Sequence, residues 1–139
     1  MVTSAKEISI SHTPLFASLT PPEIEALARR AIEKRFTPGE LLAHEGQPCQ
    51  GLFVLGRGCV KIFKTSAAGR EVMLAIESAP SSVAEVPLFD GGPFPATVSA
   101  VDDVTAYLIA KADFQQVCRE HPEVPLKVLA VVGRRLRVL

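Results

Sequence analysis

Leu52-Phe53-Val54-Leu55-Gly56-Arg57-Gly58-Cys59-Val60-Lys61-Ile62-Phe63-Lys64-Thr65 is the stretch on which the fold turns. Two short apolar runs, Leu52–Leu55 and Val60–Thr65, flank Gly56-Arg57-Gly58. Runs of that kind bounded by glycine read as strands joined by a turn, because glycine supplies the positive φ the turn needs. The rhythm continues outward in both directions. Upstream lie Lys34–Phe36 and Leu41–His44; downstream lie Val72–Ile76, Ala96–Val101 and Val104–Ile109. Pro38-Gly39, Glu45-Gly46-Gln47-Pro48, Ala68-Gly69, Asp90-Gly91-Gly92-Pro93 and Asp102-Asp103 punctuate them. Val72, Leu74 and Ile76 share one face of their strand, as do Val104, Ala106 and Leu108. Strands recurring every roughly 8–12 residues mark an all-β sandwich or barrel. Seven or eight of them over residues 33–110 predict a small jelly-roll barrel, a double-stranded β-helix. Ser81–Phe89 lacks alternation and reads as a single helical turn set into the barrel.

The flanks change period. In Thr20-Pro21-Pro22-Glu23, threonine and glutamate stand three apart, the reciprocal capping arrangement, with proline at the first helical position. Ile24, Leu27, Ala28 and Ala31 follow at helical spacing, so 21–32 is expected to be a helix, preceded by a short helical turn over Pro14–Leu19. The first eleven residues read as a loose arm. After the barrel, Asp113 is expected to cap a helix to about Glu120, and Pro122 to open a second one reaching the last residue. Leu126, Val128, Leu129, Val131, Val132, Leu136, Val138 and Leu139 cover nearly its whole circumference. A helix apolar all round is buried all round. One face can lie on the barrel; the other needs a second partner, most simply the same helix of a second subunit. Leu126, Leu129, Val132 and Leu136 are the expected dimer interface. Residues 1–139 thus read as one domain: a helical part over 12–32, the barrel over 33–110 and the C-terminal helices over 111–139. No capping glycine or asparagine closes the last helix, so a continuation past Leu139 is expected.

Composition narrows the function. Among 139 residues, fifteen Lys+Arg balance fifteen Asp+Glu, which argues against a free-standing nucleic-acid binder. Aromatics make up 6% and tryptophan is absent, so no platform for stacking bases is evident. No apolar stretch approaches the roughly 20 residues that span a bilayer. Met1–Ile10 carries Lys6 and Glu7 and no apolar block, so neither a secretory signal nor a membrane partner is expected. Cys49, Cys59 and Cys118 are odd in number and scattered, consistent with reduced thiols in a cytoplasm. A metal-dependent barrel enzyme would need a His-x-His with further ligands on adjacent strands; His12, His44 and His121 stand in three separate contexts. No nucleophile motif or phosphate loop appears, and Asp102-Asp103 reads as a turn; no enzyme is expected.

The order and wording of the elements resemble the cyclic-nucleotide-binding-domain superfamily and, within it, the bacterial CRP/FNR transcription regulators. The phrases are Leu15-Phe16 with Leu19-Thr20, Phe36-Thr37-Pro38-Gly39-Glu40, His44-Glu45-Gly46, Leu52-Phe53-Val54-Leu55 with Gly58, and Val60-Lys61-Ile62. Ala84-Glu85 with Leu88-Phe89, Ala96-Thr97-Val98 with Ala100, and Arg134-Arg135-Leu136 complete them. The resemblance implies a barrel that binds a small effector. It also implies a long helix that forms a homodimer and leads on to a DNA-reading domain not present in this chain.

In that family a short helix and the following strand hold a cyclic phosphate. A glycine lets the backbone approach, a glutamate takes the ribose 2′-hydroxyl, and an arginine followed by Ser or Thr binds the phosphate. The resemblance places Ala84 at the glycine, Glu85 at the glutamate, Phe94 at the arginine and Pro95 at the Ser/Thr. Phe94 has neither charge nor donor, and Pro95 has neither hydroxyl nor amide N–H. The expected effector site is Val83, Ala84, Glu85, Val86, Phe94, Pro95, Ala96 and Thr97: an apolar lining with one carboxylate and no cation. The adenine contact that cyclic-AMP-binding members take from the long helix falls at or just beyond Leu139. Three readings of the lining stand open: an apolar or heme-like ligand, another small metabolite, or a site packed shut. No cofactor is assigned; cyclic AMP or GMP, and heme with His44 or His121 as axial ligand, are the alternatives. The oxygen-sensing members' N-terminal cysteine cluster is absent.

Overall fold

The computed structural model describes residues 4–138. The barrel comprises eight antiparallel strands: β1 Ile32–Phe36, β2 Leu41–Ala43, β3 Gly51–Arg57, β4 Cys59–Thr65, β5 Glu71–Ser78, β6 Ser81–Val83, β7 Thr97–Ala100 and β8 Val104–Ala110. They form two four-stranded sheets, ordered β1-β8-β3-β6 and β2-β7-β4-β5. This is the expected jelly roll, mainly β with helices before and after.

The first sheet is a middle layer, and its strands show why. Along β3, Phe53 and Leu55 face the other sheet, whereas Leu52 and Val54 face the helices. β8 does the same, with Ala106 and Leu108 inward and Tyr107 and Ile109 toward the helices. Alternate residues point to opposite faces, so a strand covered on both faces must be apolar throughout. That is why Leu52–Leu55 is an unbroken apolar run. The second sheet has one face covered, and its edge strand β5 leaves Val72, Leu74 and Ile76 about half exposed.

Five helices surround this core: α1 Ala5–His12, α2 Pro21–Arg30, α3 Val86–Asp90, α4 Lys111–Glu120 and α5 Glu123–Arg137, with a 3-10 turn over Pro14–Phe16. The capping box at Thr20 and Glu23 is formed. Three expectations need correction. The N-terminal arm is not loose from residue 4 onward: the Ser4 hydroxyl accepts from the Glu7 amide at 3.1 Å, and Ile10 is fully buried. Ser4 and Glu7 three apart were the missed signal; Met1–Thr3 lie outside the described residues. Ser81–Phe89 is not one helical turn, because Ser81–Val83 pairs with Leu55–Phe53 on β3 and only Val86–Asp90 is helical. Asp113 does not cap α4; Ala110 holds that place, and Asp113 sits in the first turn, 3.4 Å from Arg30 Nη1. Along α5 one face is covered within the chain and the other is not. Val124, Val128 and Val131 are buried, while Leu126, Leu129 and Leu136 are about 60% exposed. Leu139, expected to continue this helix, lies outside the described residues.

Candidate effector site

The segment between β6 and β7 builds the site. Ala84 follows β6 with φ +64°, the one non-glycine residue at positive φ among those described. An L side chain in this region costs roughly 1–2 kcal/mol, which glycine would not incur. The backbone therefore keeps a glycine-type bend although an alanine occupies it, and the bend sets Glu85 at the mouth of α3. Gly91, at φ +75°, ends that helix, and its amide donates to the Pro87 carbonyl at 3.0 Å. Phe94 is then pinned by its backbone. Its amide donates to the Gln47 carbonyl at 3.0 Å, and its carbonyl accepts from the Gly46 amide at 2.9 Å.

Together these residues wall a cavity of about 240 Å³. Val83, Ala84, Glu85 and Val86 line it from the β6–α3 side, and Phe94, Pro95 and Ala96 from the β7 side. Seven of the eight residues singled out in the sequence are thus brought together. Thr97 is not among them. It is buried, and its hydroxyl accepts from the Glu45 amide at 3.0 Å, tying the loop after β2 to β7.

The structure adds polar groups that sequence reasoning missed. Lys64 on β4 and Glu77 on β5 also line the cavity, beside Ile62, Leu74, Ser82 and Val98. The missed signal was register. Ile62 pairs with Val98 and Phe63 with Thr97, so Ile62 and Lys64 share the inward face of β4. Glu85 is not solitary either. Its Oε1 accepts from Arg135 Nη1 at 2.9 Å, from the last turns of α5. The expectation of a carboxylate without cations nearby is therefore corrected on two counts, by Arg135 and by Lys64. The reason is tertiary: one arrives from 50 residues away and the other from an adjacent strand.

The histidines lie elsewhere. His44 and His12 are exposed, His121 is half-buried at the start of α5, and none lines this cavity. A larger apolar groove of about 560 Å³ runs between α3, α4 and α5, with Phe89, Phe114, Cys118 and Leu129 on its walls, and no histidine lines it. Neither of these two hollows offers heme an axial imidazole; His44 lines a separate one of about 380 Å³, beside Leu42, Cys49 and Phe53. Cys49, Cys59 and Cys118 are free thiols; burial pushes Cys49 and Cys118 up, away from reactive thiolates. Among the described residues no cluster of three or more His, Cys, Asp and Glu could hold a metal ion, and no helix is long and apolar enough to cross a membrane.

Residues 33–121 match the family model of the cyclic nucleotide-binding domain. The cyclic AMP receptor protein of Thermus thermophilus is 31% identical over 126 residues, covering 90% of this chain and 58% of that protein. A CRP-like cAMP-activated global transcriptional regulator of Mycobacterium tuberculosis is 27% identical over 128 residues, covering 92% and 57%. The chain thus spans somewhat over half the length of these curated relatives. Among solved structures, the N-terminal domain of a transcriptional regulator from Streptomyces coelicolor superposes with a TM-score of 0.82 at 36% identity, covering 93% of this chain and 92% of that one. None of these three is named as an enzyme. Match, coverage and architecture agree: this chain belongs to the cyclic nucleotide-binding domain family and corresponds to the sensor domain of CRP/FNR-type regulators.

Proposed function

We propose that the domain is the effector-sensing and dimerising part of a cytoplasmic CRP/FNR-like transcription regulator, and that cyclic AMP is not its signal. DNA would be read by a helix-turn-helix portion outside these residues. The observation that carries the reading is the wall formed by Phe94 and Pro95 where the family places a phosphate-binding arginine and hydroxyl. Hydrogen bonds to a charged group contribute about 1.5–3 kcal/mol each. Losing two or three costs roughly two to six powers of ten in affinity.

The structure also offers a route for the signal. Glu85 touches the cavity and Arg135 belongs to α5, so an effector that moves Glu85 shifts the helix through one hydrogen bond. The exposed flank of that helix, Leu126, Leu129 and Leu136 with half-buried Val132, is the surface a second copy would cover. Such coupling is a two-state device, because the effector biases the arrangement it binds better.

The retained bend at Ala84 and the carboxylate of Glu85 favour a second reading, a cyclic-nucleotide module. Calorimetry with cyclic AMP on the wild type and on a Phe94→Arg, Pro95→Ser variant separates the two. The first reading expects no measurable binding by the wild type at micromolar concentration and a gain of at least tenfold in the variant. Micromolar binding by the wild type establishes the second, and a variant with no gain shows that the site has been misplaced.

A further inference from the structure

We infer that the effector is a small organic anion with an apolar body, held by Lys64 acting as the cation that position 94 no longer supplies. This rests on the reading of the cavity as an effector site and names the chemistry it selects.

Charge comes first. Three ionisable side chains line the cavity: Lys64, Glu77 and Glu85. Glu85 is engaged by Arg135 at 2.9 Å, and Glu77 Oε2 accepts from the Ser81 hydroxyl at 3.0 Å. The nearby carboxylate of Glu45 accepts from the Thr65 amide at 3.1 Å, and Lys61, on the outer face of β4, pairs with Glu71 at 3.0 Å. Lys64 makes no ion pair among the described residues. Its place is set by register. The pairing of Phe63 with Thr97 brings the next residue of β4 abreast of Ala96, beside Pro95. Lys64 thus stands on β4 across from β7's approach, on the same cavity as Phe94 and Pro95, which offer no donors there.

Ser82 supplies no hydroxyl to the cavity: it pairs with Val54, which faces the helices, and its Oγ is buried on that side. The remaining walls, including Ile62, Val86, Phe94 and Val98, are apolar and suit an aliphatic or aromatic body.

The test is titration calorimetry at pH 7.5 with benzoate and hexanoate against their neutral amides, benzamide and hexanamide, on wild type, Lys64→Met, Lys64→Arg and Ser82→Ala. At least one acid should bind at least tenfold more tightly than its amide. Lys64→Met should abolish that preference, Lys64→Arg should keep most of it, and Ser82→Ala, whose hydroxyl lies on the helix side of β6, should leave it unchanged. Lys64 is exposed, so its variants should unfold at the wild-type temperature. Acid and amide binding alike, an unchanged Lys64→Met, or no binding of either acid at 10 mM overturns the inference. A parallel titration with cyclic AMP keeps the two readings distinguishable. Tight binding of cyclic AMP overturns the proposed signal without rescuing the acids, and failed acids leave the cyclic AMP result standing.

Discussion

The two halves of α5 are fastened to the body by the same kind of bond in opposite surroundings. In the first half, Lys127 Nζ donates to Glu23 Oε1 at 2.7 Å, with the glutamate side chain only 8% exposed, and Val124, Val128 and Val131 are buried around it. Beyond Val131 no described residue of the helix is buried, and the one ion pair is Arg135 on Glu85, with the arginine 46% exposed. Gly133 stands between the halves, where an added Cβ would touch nothing. A glycine inside a helix weakens it by roughly 0.5–1 kcal/mol, so the change of regime falls at the helix's least stiff point. A basic residue paired with glutamate is thus not one motif with one meaning. Sealed from water it is a clamp; at the rim of a cavity it is a contact that a ligand can reach.

The clamp should give the largest effect when broken. Glu23 serves two partners, since its Oε1 also accepts from the Thr20 amide at 2.8 Å. Glu23→Ala leaves a partly exposed ammonium and an N-cap amide unpaired, and should cost about 2 kcal/mol in urea unfolding. The pH dependence follows. Burial alone would push the Glu23 carboxyl up, but the hydrogen bonds from Lys127 and Thr20 outweigh it and hold it below the usual carboxylate value. A carboxyl lowered on folding contributes fully above its unfolded pKa of about 4.3 and loses that contribution as pH falls through the folded value. The stability gap between wild type and Glu23→Gln should therefore be widest near pH 7 and narrow below about pH 4. A gap independent of pH would show that the pair is not what fastens this half.

The exposed flank predicts a different kind of loss. Leu129→Glu puts a charge on a residue that is 62% exposed, so the stability of the isolated chain should change by no more than about 0.5 kcal/mol. Sedimentation velocity at tens of micromolar should instead show weaker self-association by at least tenfold. Equal association of both proteins would remove the second subunit from this surface.

Much of this contrast was invisible in the sequence, for physical reasons. Strand rhythm and the Thr20–Glu23 cap are local, so they could be read directly. Seven of the eight residues expected at the site converge on one cavity, because they lie in one stretch with a left-handed bend at Ala84. The circumference of α5 could be seen to be apolar, but periodicity does not say which stripe meets the barrel. Lys127 and Glu23 are 104 residues apart and Arg135 and Glu85 are 50 apart. Pairings at that range are decided by packing. Lys64 was hidden for a subtler reason. Its run, Val60–Thr65, was correctly read as a strand, but only the register against β7 tells which lysine of that strand faces inward.

The rim contact should give the smallest change in stability and the most localised one. Arg135→Ala removes a half-exposed partner from Glu85, and exposed ion pairs contribute about 0–1 kcal/mol and weaken further with salt. Global unfolding should therefore move by less than about 1 kcal/mol. Hydrogen exchange separates local from global loosening, because amides open in cooperative units of differing stability. Amides after Gly133 should lose protection in Arg135→Ala, and in wild type at 0.5 M salt, while those of Val124–Val131 keep theirs. Glu23→Ala should do the reverse and release the first half. If Arg135→Ala loosened the whole helix, the two halves would be one mechanical unit. A signal from the cavity would then have to work against the Glu23 clamp as well, rather than through the last turns of α5 alone.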